Sequence, residues 1–283
     1  MIRKLAKTLM LSMCALLTAL LAVPLAVAAQ SPFALVMIDE ASEAKYGGFP
    51  VDRALTAQAI DKLAAAGVRG VVLKFFYDAP SNAASDAALA SALSKTKVIL
   101  QARIDDTESK PNRLPERFVL AVPAGPAAVS GTSGWLPLPL LSNRAHNVGF
   151  VDITSADRIP AFERLGERSY PSLTIAAISL ALGDPALTIQ PGQLVRLGNK
   201  SVPLDSQSQM MLSAATFRNA DDTAYLSFAD VVEGKVSLQA LRGKVVVIGY
   251  QGSKMPTVRT SAGAIKLHLA FWLGLQDAWK QFQ

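Results

Sequence analysis

The chain has 283 residues, of which 51% are apolar and 18% are charged, and its formal net charge is +6. This length suffices for one large domain or two small ones. The single cysteine, Cys14, lies in an apolar segment near the N-terminus, which excludes disulfides, cysteine-bound zinc and thiol catalysis from the rest of the chain.

The first 28 residues have the pattern of a secretory signal peptide. Met1–Lys7 carries three basic residues and no acidic one, Leu9–Leu25 is almost wholly apolar, and Ala26-Val27-Ala28 offers the small residues that signal peptidase prefers. We therefore expect cleavage after Ala28 and one domain over residues 29–283, in the periplasm or secreted. An uncleaved anchor is the alternative, because the apolar run is nearly long enough to span a bilayer. Removal of the leader lowers the net charge by three, so the charge does not indicate nucleic-acid binding.

The first element pattern after the leader is a βαβ unit. An apolar run, Ala34–Ile38, is followed by an amphipathic segment, Asp52–Ala66, and by a second apolar run, Gly70–Tyr77. Two continuous apolar runs joined by a helical pattern predict two parallel strands with a crossover helix, buried on both faces. Asp52 is the predicted N-cap of that helix, and Gly67 is its predicted left-handed C-terminal residue.

Lys74 interrupts the second of these strands. A buried and unpaired ammonium group costs several kcal/mol, so the side chain must either reach an edge of the sheet or meet a carboxylate. Asp39 and Glu40 follow the first strand and Asp78 follows the second, which makes these three the nearest acidic candidates in the predicted sheet.

The rest of the chain continues the α/β pattern. Apolar periodicity predicts four further helices, at Ser85–Ser94, Ser172–Leu182, Phe228–Val232 and Gly263–Lys280. It predicts four further strands, at Lys97–Ile104, Phe118–Val122, Val148–Ile153 and Lys244–Tyr250. Leu194–Leu204 and Gln209–Ala214 predict a small hairpin region. We therefore expect an α/β domain with a mostly parallel central sheet, helices on both faces and a small hairpin insertion in the C-terminal half. Asp105–Pro139 is predicted to be a long surface connection, with a functional lid as the alternative.

Seven short stretches, taken in order, carry a family resemblance. They are VMIDEAS (Val36–Ser42), GGFPVDR (Gly47–Arg53), FFYDAPS (Phe75–Ser81), SDAALASAL (Ser85–Leu93), VGFVDI (Val148–Ile153), the Pro-Ser-Leu helix start at Pro171, and SFADVVEGKV with LRGKVVVIG (Ser227–Val236 and Leu241–Gly249). Together they resemble the second type of CHASE domain, an extracytoplasmic sensory module. The resemblance covers Ala34 to about Leu275, and it implies a periplasmic α/β sensory domain that is not an enzyme and holds no cofactor.

The chain departs from that family pattern at specific positions. The resemblance implies an acidic residue where this chain has Lys74, and a Glu-x-His-x-Asn element late in the domain. Here that element is Lys266-Leu267-His268-Leu269-Ala270, so only the histidine matches. Relatives continue into transmembrane helices and output domains, whereas no second uncharged apolar run long enough to span a bilayer precedes Gln283. We therefore expect a free-standing form that acts through a separate membrane partner.

Six residues are candidates for binding a small, anionic ligand: Asp39, Glu40, Lys74, Asp78, Lys266 and His268. Residues just past the carboxyl ends of strands lie where open α/β sheets bind ligands, and two lysines suit an anion. The alternative is an internal salt-bridge cluster, or solvated strand ends. We predict no catalytic residue and no cofactor. We predict no metal site, because the other histidine, His146, stands alone in its own loop.

Two other functions compete with ligand sensing. One is a hydrolase that uses Asp39 and Glu40 with His268, although adjacent strand residues point to opposite faces. The other is a structural envelope protein that docks through Trp272 and Trp279, although aromatic residues at helical spacing favour core packing. The Gly249–Ser253 loop lacks the Gly-Lys-Ser/Thr of a phosphate-binding loop, so it is predicted to be a tight strand-exit turn.

Overall fold

The apolar runs of the sequence form parallel strands at the centre of the molecule. The structure is a computed structural model and describes residues 31–283, in which Pro32–Gln283 form one compact unit. The predicted signal peptide lies outside the described residues. In the described part no helix is both long enough and apolar enough to cross a membrane.

Residues 31–283 form seven α-helices and seventeen strands. The helices are α1 (Glu40–Tyr46), α2 (Arg53–Ala65), α3 (Ala83–Ala92), α4 (Pro139–Ser142), α5 (Leu173–Ala181), α6 (Phe228–Glu233) and α7 (Leu267–Gln281). The strands are β1 (Phe33–Ile38), β2 (Gly70–Leu73), β3 (Val98–Ile104), β4 (Ser130–Gly131), β5 (Gly134–Trp135), β6 (Asn147–Phe150), β7 (Arg158–Pro160), β8 (Phe162–Leu165), β9 (Arg168–Pro171), β10 (Leu187–Gln190), β11 (Leu194–Leu197), β12 (Lys200–Pro203), β13 (Gln209–Met211), β14 (Leu226–Ser227), β15 (Val245–Tyr250), β16 (Thr257–Thr260) and β17 (Gly263–Lys266).

Seven of these strands form the central sheet. Its order is β14-β1-β15-β2-β3-β5, and β6 also pairs with β3. All neighbours are parallel except β5, which runs antiparallel to β3. The predicted βαβ direction is confirmed, because β1 and β2 run the same way with α2 between them in sequence. The two strands are not adjacent, however, since β15 lies between them.

Helices cover both faces of the sheet, as predicted, and divide the apolar side chains between two cores. Val246 and Ile248 of β15 join one core with α2, α3 and α6, while Val245 and Val247 join the other core with α5 and α7. Both faces of a strand in this position must be apolar, which accounts for the unbroken apolar run Val245–Ile248 within LRGKVVVIG. Trp272 and Trp279 of α7 pack against the second core, in agreement with the interpretation that favoured core packing.

The helix ends follow the capping residues of the sequence. The carboxylate of Asp52 accepts a 2.8 Å hydrogen bond from the backbone N–H of Ala54, and Gly67 has a φ of +75°, both as predicted. The first turn of α6 is capped from a distance: the hydroxyl of Ser42 accepts from the N–H of Ala229 at 3.1 Å. Ser227, which precedes this helix, makes no capping bond with its side chain.

Two predicted elements are wrong. Phe118–Val122 is not a strand: Phe118 ends a 3₁₀ turn, and Leu120 forms one isolated bridge with Ser169. The last predicted helix starts four residues late, at Leu267, since Gly263–Lys266 is instead a strand that pairs with β16. Ile265 lies at helical spacing from Leu269 and Trp272 of α7, so apolar periodicity alone could not show where the strand ends and the helix begins.

The C-terminal half holds a small hairpin insertion, but the predicted turn at Asp205-Ser206 does not join its two strands. β11 and β12 form a hairpin that turns at Gly198, where φ is +61°, and β10 adds a third strand. Gln209–Met211 leaves this group and pairs with β7. The strands β7 to β9 were not predicted, because each has only three or four residues and none has a long apolar run.

A candidate ligand site at the carboxyl edge of the sheet

The carboxyl ends of β1, β15, β2, β3 and β6 lie along one edge of the central sheet. Lys74 directly follows β2 at this edge, and its backbone N–H donates to the carbonyl oxygen of Ile248 at 3.0 Å. The strand is shorter than the predicted Gly70–Tyr77, so Lys74 stands at its end and not in its middle. Only 3% of the Lys74 residue is exposed.

The amino group of Lys74 has few polar neighbours. Its Nζ donates a 2.6 Å hydrogen bond to Oε1 of Gln101 and lies 5.0 Å from the centre of the Phe271 ring. It forms an ion pair with no carboxylate among residues 31–283. Burial lowers the pKa of the Lys74 amino group to about 7, and the nearby carboxyl groups of Asp152 and Glu163 oppose this change only in part.

His268 stands in the first turn of α7, against the end of β15. The backbone N–H of Tyr250 donates to its Nδ1 at 3.0 Å, so this nitrogen carries no proton and the neutral ring bears its proton on Nε2. Burial and, after it, the positive charge of Lys74 hold the pKa of His268 well below its usual value. The ring packs close to Gly249: a Cβ at this position would lie 3.5 Å from Nδ1 of His268 and, more tightly, 3.0 Å from the sulfur of Met37.

Two acidic residues complete the surroundings of Lys74. Glu163, on β8, is fully buried, and its Oε1 accepts from the backbone N–H of Asp152 at 3.1 Å. Its Oε2 has no hydrogen-bond partner among the described residues. Burial and the neighbouring carboxyl group of Asp152 raise the pKa of Glu163 well above its usual value. Asp152 accepts from the backbone N–H of Ile104 at 2.7 Å.

Lys74 borders three cavities. The large cavity has a volume of about 640 Å³, within the roughly 300–1,000 Å³ of small-molecule sites, and includes Gln101 and His268. The middle cavity, about 270 Å³, contains Gln101 and His268 again and also Asp152. The inner cavity, about 70 Å³, contains Asp152 and Glu163. The large cavity is therefore the one of these three with room for a metabolite.

The walls of the large cavity are mainly apolar, and their polar groups are held in place. Arg53 donates to Oδ1 of Asp86 and to the carbonyl of Ala79, at 2.7 Å each, and its guanidinium lies 5.1 Å from the Tyr77 ring centre. Burial raises the pKa of Tyr77 to about 12, which keeps its phenol neutral. Four aromatic residues line the cavity: Phe49, Phe75, Phe76 and Tyr77.

The structure brings together two of the six predicted site residues, Lys74 and His268. Asp39 lines none of the three cavities. Its Oδ1 instead accepts from the N–H and hydroxyl of Ser42 and from the hydroxyl of Ser227. Glu40 is exposed in the first turn of α1. The hydrolase alternative, which needs Asp39 and Glu40 beside His268, gains no support from this arrangement.

Asp78 and Lys266 also lie outside these cavities. The backbone carbonyl of Asp78 accepts from Nδ2 of Asn112 at 2.7 Å, and Nζ of Lys266 donates to the backbone carbonyl of Gln251. The Gly249–Ser253 loop is a tight exit turn, in which a Cβ at position 252 would collide with the ring of Tyr250.

The prediction that Asp39, Glu40 or Asp78 lies closest to Lys74 is wrong. β15 separates β1 from β2, so the residues that follow β1 are two strands away from Lys74. Asp152 and Glu163 take their place. Asp152 ends the VGFVDI stretch, so the reasoning from strand ends could have found it, whereas Glu163 lies in a segment without a predicted element. Within residues 31–283 no group of three His, Cys, Asp or Glu side chains could hold a metal ion.

Comparison with known proteins agrees with this architecture. The family model described as the CHASE2 domain matches residues 7–268, nearly the whole chain. The match begins at Lys7, in the basic part of the N-terminal segment, and ends at His268. No curated protein and no solved structure matches the chain.

Proposed function

The chain belongs to the CHASE2 family of extracellular sensory domains, and from this premise we propose that it binds a small anionic ligand in the large cavity without catalytic turnover. One observation carries the proposal. The buried amino group of Lys74 borders a cavity of about 640 Å³, and Gln101 is its one hydrogen-bond acceptor among the described residues. The amino group has two N–H donors when neutral and three when protonated, so in either state at least one donor is left for a bound anion.

The cavity favours a particular shape of ligand. Lys74 and His268 provide donors at the carboxyl edge, and Nδ1 of His268 is already occupied, which leaves Nε2–H as the free donor of the ring. Phe49, Phe75 and Phe76 provide apolar contacts away from these donors. We propose a carboxylate with an aromatic or aliphatic body, since most of such a ligand would be buried against apolar walls and its charge would meet the two donors.

Export and a separate membrane partner belong to the same proposal. The N-terminal pattern supports export by a signal peptide, and the sensory role of the family supports transfer of the signal to a membrane protein. We expect a periplasmic fraction to contain a chain whose intact mass corresponds to a start at residue 29. Recovery of the full-length chain from the cytoplasm would contradict export.

A thermal-shift series tests the ligand proposal. Benzoate, phenyllactate and hexanoate would be titrated against the wild type, with benzamide as the uncharged control. We expect saturable stabilisation by the carboxylates alone, loss of this effect in Lys74→Met, and its retention in Lys266→Met, which changes a lysine outside the cavities. Equal stabilisation of wild type and Lys74→Met, or no stabilisation by any carboxylate, would contradict the proposal.

A further inference from the structure

The hydrogen-bonding geometry of Lys74 suits a neutral amine. Gln101 Oε1 accepts one N–H, the Phe271 ring lies beside the nitrogen, and no carboxylate within the described chain forms an ion pair with it. A neutral amine has one donor fewer than an ammonium group and carries a lone pair. Burial, which lowers the pKa of Lys74 to about 7, supports this state near neutral pH. Buried lysines of this kind act as nucleophiles toward carbonyl groups.

One acid, Glu163, and one hydrogen-bond donor, His268, lie around the same amine. Glu163 shares the inner cavity with Lys74, and its buried Oε2 has no hydrogen-bond partner in the described part of the chain. Its raised pKa lets this carboxyl group keep a proton at a pH where an exposed glutamate has lost it. His268, whose Nε2–H is a second donor, shares the large and middle cavities with Lys74. Lys74 borders both spaces, so its amino group has His268 on the side of the large cavity and the Glu163 carboxyl group on the side of the inner cavity.

We infer that Lys74 captures the carbonyl group of a small oxo acid as a reversible imine in the large cavity. This inference rests on the proposed function, because the cavity must first admit the acid. The ligand class follows from the two kinds of group present: an amine for a ketone or aldehyde carbon, and N–H donors for the carboxylate. Binding would thus be covalent, and the sensor would distinguish an oxo acid from its hydroxy counterpart.

The step balances without an oxidant or reductant. The lone pair of Nζ attacks the carbonyl carbon, the C=O π electrons move to oxygen, and a proton passes from nitrogen to that oxygen to give a carbinolamine. The Glu163 carboxyl group then protonates the hydroxyl, the C–O bond breaks and releases water, and the nitrogen lone pair forms the C=N bond. The remaining proton on nitrogen returns to Glu163, so the two amine hydrogens leave in the water.

Reductive trapping tests this inference on the full chain. Purified protein would be mixed with phenylpyruvate and sodium cyanoborohydride, and adducts would be located by intact mass and peptide mapping. We expect one main adduct, on Lys74, that is absent from Lys74→Arg and from Lys74→Met and present in Lys266→Arg. Glu163→Gln, which keeps the side-chain shape, is expected to slow trapping about a hundredfold. Phenyllactate, which lacks the carbonyl, is expected to compete with phenylpyruvate without forming an adduct.

The outcomes separate this inference from the proposed function. Stabilisation by phenyllactate that depends on Lys74, combined with no trapped adduct on Lys74, would overturn the imine and leave the ligand site in place. Adducts spread over exposed lysines and unchanged in Lys74→Arg would also overturn the imine. Absence of both stabilisation and adduct would contradict the two proposals together.

Discussion

Asp39 and Lys74 occupy equivalent places in the fold, but their side chains make different contacts. Each stands just past the carboxyl end of a parallel strand, β1 for Asp39 and β2 for Lys74. Three donors from Ser42 and Ser227 converge on one oxygen of Asp39, which joins α1 to β14 and α6. The amino group of Lys74 has one acceptor, Gln101, and borders three cavities.

The difference shows that position at a strand end does not by itself identify a binding residue. What separates the two residues is the hydrogen-bonding capacity that the protein leaves unused. Asp39 is satisfied by its own fold, whereas Lys74 and the neighbouring Glu163 keep donors or acceptors without partners in the described chain. Buried polar groups are normally satisfied, so these exceptions beside a cavity support the proposal of a bound ligand.

Removal of Asp39 is expected to give the largest effect on stability. Asp39→Ala deletes an N-cap and two further hydrogen bonds to a carboxylate, and we expect the free energy of unfolding to fall by about 2–4 kcal/mol. Urea denaturation measures this change. Carboxylate binding by the folded protein should persist, and its loss would break the distinction between Asp39 and Lys74.

Replacement of Lys74 is expected to act in the opposite direction. Burial lowers the pKa of Lys74 from 10.5 to about 7, and every tenfold weakening of proton binding corresponds to about 1.4 kcal/mol of unfavourable interaction with the charged form. Loss of the partner of Gln101 offsets part of the gain, so we expect Lys74→Met to raise the free energy of unfolding by about 1–3 kcal/mol. A fall instead would favour the structural ion-pair interpretation of Lys74.

The stability of the wild type should rise with pH above neutrality. Between the folded pKa of about 7 and the unfolded value of 10.5, the unfolded chain binds up to one proton more at Lys74. The penalty is thus fully present below pH 7 and diminishes above it, with a slope of up to about 1.4 kcal/mol per pH unit. Urea denaturation at pH 7, 8 and 9 measures the slope. Lys74→Met removes this titration, so its slope between pH 7 and 9 should be smaller than that of the wild type, and equal slopes would refute the low pKa of Lys74.

Glu40 should have the smallest effect. It is exposed in the first turn of α1, so Glu40→Gln is expected to change the free energy of unfolding by less than about 0.5 kcal/mol. Carboxylate binding should be unchanged in the same variant. A clear loss of binding would show that the residues after β1, Asp39 among them, belong to the candidate site after all.

The sequence predicts local structure well and strand order poorly. The apolar run Val245–Tyr250 and the capping residue Asp52 depend on burial and on nearby backbone groups, which local patterns record. The place of β15 between β1 and β2 depends on pairing across the whole chain, and no local pattern records it. For the same reason the sequence identified Lys74 as an anomaly but assigned it the wrong acidic neighbours.

Glu163 could not be found from the sequence, for a physical reason. It lies on β8, a strand of four residues whose neighbours Arg164 and Leu165 are half-exposed, so no apolar run marks the strand. Only the packing of β8 near the end of β6 brings its carboxyl group to the cavity beside Lys74. Sites built from such short strands require the tertiary structure.

The position of β15 also determines when the sheet can form. Val245–Tyr250 is made near the end of synthesis, yet both β1 and β2 pair with it directly. The early strands therefore emerge long before their common neighbour, and contacts between residues so distant in sequence form slowly. A nascent chain whose sheet is incomplete until β15 has been synthesised is suited to passing unfolded through a narrow translocation channel.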